Sequence, residues 1–247
     1  MTVLMPNQHD ASEGLVLDDL HVRVAGRDVC RGVSLTIAVG EIHLLLGPNG
    51  SGKSSLLAAI MGLPGYEVTG GEIRFRGQRV EHESVTERAH AGIGLAFQRP
   101  PSISGVSIRA LSAALGSDER MRAHAAELGL DTLLGRGIND GFSGGEIKRW
   151  EILKLVLQDP ALCLIDEPES GVDLEHVAAV GRAIADLLST PRADGSARTG
   201  LIITHGGQIL DTVRATTAHV LADGILTTSG SPRELVDRIK ADGYPTA

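Results

Sequence analysis

The chain has 247 residues, 42% hydrophobic but only 2% aromatic, and its 23 basic and 31 acidic residues leave a net charge of −8. At this length folding buries about 70–75% of the surface of the unfolded chain, so a core needs neither disulfides nor a structural metal. The acidic balance disfavours a protein that grips the phosphate backbone of nucleic acid, and the shortage of rings disfavours one that stacks on bases.

Residues 1–13 are polar, lack the basic-then-apolar order of a secretory leader, and read as a flexible tail. Leu20, Val22 and Val24 alternate with His21 and Arg23, and Val33, Leu35, Ile37 and Val39 alternate with Ser34, Thr36 and Ala38. Period two predicts two half-buried strands. The run His43-Leu44-Leu45-Leu46 predicts a strand covered on both faces, followed by a glycine-rich turn and a helix over Lys53 to Met61. Glu72–Phe75 and Gly92–Phe97 predict further strands. Between Pro100 and Asp140 the character changes, and alanine- and leucine-rich pieces near Ile108–Leu115 and Asp118–Leu128 predict a small helical insert. Beyond Gly145 the pattern is helix (Glu146–Leu157), strand (Leu162–Ile165), helix (Leu174–Leu188) and strand (Leu201–Thr204). That is α/β winding around a mostly parallel sheet. Ser231-Pro232-Arg233-Glu234 has capping-box spacing with proline first in the helix, so a last helix is expected up to Lys240.

No run approaches the 18–20 apolar residues of a membrane span. Cys30 and Cys163 stand outside any CxxC spacing, which suits a reduced cytosolic setting. The scattered histidines form no HExxH or His–Cys cluster, so no metal site of that kind is expected.

Three segments carry chemistry. Gly47-Pro48-Asn49-Gly50-Ser51-Gly52-Lys53-Ser54 matches GxxxxGK[ST] between a predicted strand and a predicted helix. Glycines let successive backbone N–H groups face a polyphosphate, and the helix N-terminus adds its dipole. The cradle so expected runs through Ser55, with Lys53 reaching the β- and γ-phosphates and the Ser54 hydroxyl on Mg²⁺. Leu162 to Ile165 is an apolar strand ending in Asp166 and Glu167. Asp166 is placed to hold the metal through water, and Glu167 to orient or deprotonate an attacking water. Phe142-Ser143-Gly144-Gly145-Glu146 offers a hydroxyl and helix N-terminal amides, a second anion site. One nucleotide cannot fill both sites in one small domain unless the second belongs to a neighbouring molecule.

In order, the phosphate loop, a lone Gln98, Ser-Gly-Gly, the Asp166–Glu167 strand, Ser170-Gly171-Val172-Asp173 and His205 after an Ile-Ile-Thr strand resemble the ABC-type ATPases. The resemblance implies an α/β, P-loop ABC ATPase fold: a mostly parallel sheet, an N-terminal antiparallel β portion and a small helical subdomain. Residues 14–98 and 143–247 would form the nucleotide-binding core, and residues 99–142 the partner-facing subdomain. It implies hydrolysis of ATP with Mg²⁺. Lys53, Gln98, Glu167 and His205 would be the catalytic set, and Ser54, Gln98 and Asp166 the metal set. Gln98 would sense metal and partner, and His205 would contact the γ-phosphate. Ser143, Gly144, Gly145 and Glu146 would act on the opposite copy of a nucleotide-sandwich homodimer, with Ser170 and Asp173 in the loop that communicates across it.

Six segments resemble the SufC-type branch, the soluble ABC ATPases of iron–sulfur cluster assembly. They are Gly65 to Gly71, Ala96 to Pro100 with Gly105-Val106-Ser107, Gly141 to Glu151, Asp166 to Asp173, and Asp242-Gly243-Tyr244. The match spans about residues 15–244. It implies a cytoplasmic protein without membrane insertion or nucleic-acid partner, docking SufB/SufD-type scaffolds through residues 98–140, near Arg99, Pro100, Pro101 and Ile103. An ATP-binding subunit of a membrane transporter has the same chemistry and a different load. An ATP-gated clamp without turnover is a third reading, and Glu167 argues against it. Three positions depart from the pattern: Val24 where an aromatic ring usually stacks on adenine, Gly206-Gly207 where a bulky residue often follows the histidine, and a short insert between Gln98 and Phe142.

Overall fold

The first alternating stretches pair as a hairpin, β1 (Glu13–Val24) antiparallel to β2 (Arg27–Ala38). Its turn residues, Ala25 at φ 47° and Gly26 at φ 78°, both take the left-handed backbone that matches strand twist. These and the following elements come from a computed structural model that describes residues 13–172, 174–205 and 207–244. The tail expected over residues 1–13 lies outside the described residues apart from Glu13, as do Asp173 and Gly206.

The apolar run becomes β3 (Ile42–Leu46), and the glycine-rich turn leads into α1 (Lys53–Met61). Then come β4 (Tyr66–Phe75), β5 (Gln78–Arg79), α2 (Val85–Ala91) and β6 (Ile93–Ala96). Periodicity does not reveal α2, which is too short to repeat an apolar face. Its signature is a capping box: the Glu87 amide donates to Ser84 Oγ at 3.3 Å and the Ser84 amide to Glu87 Oε2 at 2.7 Å.

The insert is less purely helical than its composition implies. Its two expected helices form as α3 (Ile108–Ala114) and α4 (Asp118–Ala125), flanked by β7 (Ile103–Ser107) and β8 (Gly137–Ile138). β7 and β8 pair antiparallel, so the two ends of the insert are tied together. Ile108, Met121, Leu130 and Ile138 form its core with Trp150 and Leu153 from the next helix.

The remaining chain forms α5 (Gly144–Gln158), β9 (Leu162–Asp166), α6 (Leu174–Ser189), β10 (Thr199–Ile203), β11 (Thr217–Ala222), β12 (Ile225–Gly230) and α7 (Pro232–Asp242). The capping box expected at α7 does not form. Pro232 takes the first helical position, but the exposed Ser231 makes no side-chain cap, so the rigid proline starts this helix.

Among the described residues the larger sheet has the order β12-β11-β3-β10-β9-β6, parallel except for β12 at its edge. The smaller, antiparallel sheet has the order β2-β1-β4-β5. Both sheets expected from the resemblance are therefore present. Leu17, Val22, Leu57, Ile60 and Ile73 fill the space between the smaller sheet, α1 and the larger one. Leu46, Ile165, Ile184 and Ile202 meet the helices on the opposite face. With both faces covered, β3, β9 and β10 are near-continuous apolar runs.

Candidate functional site

Register brings the site together. Leu45 lies beside Ile203, and Ile203 beside Asp166, so β3, β10 and β9 end at one edge of the sheet. The chain leaves that edge at Gly47, Glu167 and Thr204, the crevice where open α/β sheets bind ligands.

The loop after β3 is pressed against the sheet. A Cβ at Gly47 would lie 2.1 Å from the Leu221 carbonyl oxygen, so only glycine fits there. Gly52, at φ 104°, starts α1. Lys53 is buried and donates from Nζ to the carbonyls of Gly47 at 2.8 Å and Pro48 at 2.9 Å. Burial lowers its pKa, while the nearby Glu167 and Asp166 carboxylates oppose the shift. The buried Ser51 hydroxyl has no hydrogen-bond partner, an orphaned group inside the loop.

Ser54 Oγ donates to Asp166 Oδ1 at 3.2 Å, joining the start of α1 to the end of β9 across 112 residues. Burial raises the pKa of Asp166, and the bond from Ser54 works against it. Among the described residues no three His, Cys, Asp or Glu side chains group to hold a metal. The set at Asp166 is one carboxylate with a hydroxyl beside it. Such hard oxygens, few in number, suit Mg²⁺ that is also held by bound phosphates.

Glu167 is buried and has φ 44°, with its amide donating to the Ile203 carbonyl at 3.1 Å. Its carboxylate meets two expected residues: the Gln98 side-chain amide donates to Oε2, and His205 Nε2 lies 2.5 Å from Oε1. Gln98 Nε2 is also 3.5 Å from Ser170 Oγ.

Ser143 caps α5 reciprocally: the Glu146 amide donates to Ser143 Oγ at 3.3 Å, and the Ser143 amide to Glu146 Oε2 at 2.7 Å. Gly144 and Gly145 belong to the first helical turn, whose amides lack intrahelical acceptors. A Cβ on Gly144 would come within 2.5 Å of the Gly171 carbonyl oxygen, so this segment packs on the Ser170 loop. Among the described residues no hydrogen bond joins Ser143–Glu146 to Gly47–Ser55 of the same chain.

Several polar residues of the site escape the sequence reading. Lys148 is buried, and its Nζ donates to the carbonyls of Gln98 at 2.8 Å and Glu167 at 3.0 Å. Burial lowers its pKa. Glu169 accepts from the Thr204 hydroxyl and, at 3.3 Å, from the His205 amide, ordering the loop after β10. Lys148, Glu151 and Leu155 follow one helical stripe of α5 with Ile152, all buried. That spacing is the signal that could have separated them from solvated charges. Among the described residues no helix is long and apolar enough to cross a membrane.

Comparison with known proteins adds four findings. The ABC transporter family matches residues 30–170. Vegetative protein 296 of Bacillus subtilis (strain 168) is 39% identical over 95% of this chain and 93% of that protein. The probable ATP-dependent transporter SufC of Escherichia coli (strain K12) is 38% identical over 93% of this chain and 97% of that protein. Among solved structures, a nucleotide-free ATP-binding cassette from an ABC transporter superposes with a TM-score of 0.75 at 23% identity, covering 93% of this chain and 96% of that one.

Proposed function

The chain belongs to the ABC transporter family and is an ATPase, and from that premise we propose that two copies close on two nucleotides to move a soluble SufB/SufD-type scaffold in iron–sulfur cluster assembly. The observation that carries the catalytic part is the convergence of Gln98 and His205 on the Glu167 carboxylate, on the same sheet edge as the Ser54–Asp166 pair.

In this reading Gly47 to Ser55 cradle the phosphates, and Lys53 exchanges its two carbonyl partners for the β- and γ-phosphates. Ser54 and Gln98 would ligate Mg²⁺ directly, and Asp166 through water. When bound, the ion neutralises charge on the phosphates. Glu167 orients a water in line with the γ-phosphorus and receives its proton as the new P–O bond forms. The bond to the bridging oxygen breaks, and its electron pair leaves with ADP. His205, held beside Glu167, contacts the γ-phosphate oxygens. Ser143, Gly144 and Gly145 of the second copy face that phosphate with helix N-terminal amides. The exposed start of α5, with its reciprocal Ser143–Glu146 cap, supports this arrangement. Ser170 lies in the loop joining the two sites; Asp173, given the same role, lies outside the described residues.

The division into a core of residues 14–98 and 143–247 and a partner-facing unit of residues 99–142 belongs to the same proposal. The identity to SufC over 97% of that protein supports the load. A groove of about 260 Å³ lined by Phe97, Pro100, Pro101, Ile103 and Trp150, with Ile103 44% exposed, is the docking surface in this reading, and a membrane subunit would use the same region. Co-expression with SufB/SufD-type scaffolds and purification without detergent tests it. The scaffold is expected to co-purify and to be lost with Ile103→Asp. Recovery of an integral membrane partner instead would make the chain the ATP-binding subunit of a transporter.

A further inference from the structure

Gln98 follows β6, which among the described residues is an edge strand with no neighbour on one side. Its position is set by α5. The Phe97 amide, first beyond the strand, donates to Glu151 Oε2 at 2.7 Å. The same oxygen accepts from Lys154 Nζ at 2.7 Å, and that ammonium lies 4.8 Å from the centre of the Phe97 ring. Residue 97 is thus held at its backbone by a carboxylate and at its ring by an ammonium, one helical turn apart. One turn earlier on α5, Lys148 takes the Gln98 carbonyl at 2.8 Å. Glu151 is 2% exposed and the Lys154 side chain 16%, so neither is a solvated charge. Both line the groove beside Phe97, Pro101 and Ile103.

We propose that Glu151 is a positioning residue for ATP hydrolysis, fixing through the Phe97 amide where the Gln98 side chain stands relative to Glu167. Removing its carboxylate leaves a part-buried amide and a part-buried ammonium without this acceptor together, and releases the chain one residue before Gln98. Because Ser143 caps α5, the same helix links the segment offered to the second copy with the residue that meets Glu167. The inference rests on the role given above to Gln98.

The experiment is a double-mutant cycle on ATP turnover, with hydrogen exchange of the Phe97 amide as a second readout. Glu151→Leu is expected to lower kcat about tenfold or more with KM for ATP within about threefold, and to speed exchange at Phe97 about tenfold. In a Gln98→Ala background the same change should alter kcat by less than about twofold. Glu151→Gln, which keeps an acceptor oxygen, should restore amide protection and most of kcat. If Glu151→Leu does not fold, Glu151→Asp replaces it in the cycle, keeping the charge for Lys154 while drawing the oxygen away from the Phe97 amide. Equal fold-losses in the two backgrounds, or an unchanged Phe97 amide, would overturn the role of Glu151 alone. A Gln98→Ala chain with the parent's kcat would remove the role of Gln98 as well.

Discussion

His205 and Glu167 meet with Nε2 2.5 Å from Oε1, although 38 residues separate them in the chain. The other carboxylate oxygen of Glu167 accepts from Gln98, so both oxygens are engaged. Each oxygen keeps a second lone-pair direction open to an attacking water.

Glu167→Gln is expected to leave ATP binding intact and to slow hydrolysis by on the order of 10²-fold or more, since the amide cannot take a proton from water. ATP should then hold two copies together. Phosphate release and size-exclusion chromatography measure the two effects, and turnover within a few-fold of the parent would remove Glu167 from the proposed chemistry.

If Ser143-Gly144-Gly145 serves the opposite copy, a Lys53→Ala chain mixed with a Ser143→Arg chain should recover one working composite site. The mixture should turn over ATP when neither variant does alone. Two folded variants that dimerise yet stay inactive together would refute the sandwich.

Gly144→Ala places a methyl group where only 2.5 Å separates it from the Gly171 carbonyl oxygen. The backbone contact has to open, moving the start of α5 away from the Ser170 loop. A fall in kcat of about tenfold or more is expected. Near-parent turnover by this variant would show that the contact is not needed.

Val24 closes the β1–β2 hairpin opposite Arg27 and, in the neighbouring strand, Tyr66; both Val24 and Tyr66 pack on the core. Without a ring over the base, about 1–3 kcal/mol of stacking is lost by analogy with base–aromatic contacts. GTP should therefore be used within about tenfold of ATP, a difference of about 1.4 kcal/mol. A hundredfold preference for ATP in kcat/KM would show that another residue reads adenine.

Buried histidines make stability depend on pH. His43 Nδ1 lies 2.9 Å from His219 Nε2, with Glu41 Oε2 at 3.1 Å from the outer nitrogen of His43 and Ser229 Oγ at 2.7 Å from that of His219. Burial pushes His219 down from 6.5 to about 4, helped by His43, and burial also lowers His43. Between those values the unfolded chain binds a proton that the folded chain refuses, so stability falls as pH drops from 6.5 towards 4. For His219 the loss amounts to about 3 kcal/mol across the window. Urea midpoints should fall over that range in the parent and less steeply in His219→Gln; parallel profiles would show that this pair does not control acid stability.

The phosphate loop, the paired acids and the Ser143 cap were legible in the sequence because each is local. Glycine spacing curls the backbone before α1, an apolar run ends in Asp166-Glu167, and Ser143 and Glu146 lie three residues apart. Tertiary structure decided the rest. Lys148 reaches carbonyls 19 and 50 residues away, and Glu151 an amide 54 residues away. Their charges look solvated until α5 is packed against β6 and β9. β7 and β8 were hidden because their partners lie across the insert, while Ser231 lacked the reciprocal cap that its spacing promised. The residue types at one strand end are written in neighbouring positions. Which strand ends stand side by side depends on the crossover order β3-β10-β9 and its register, and burial of both sheet faces sets these through the whole chain.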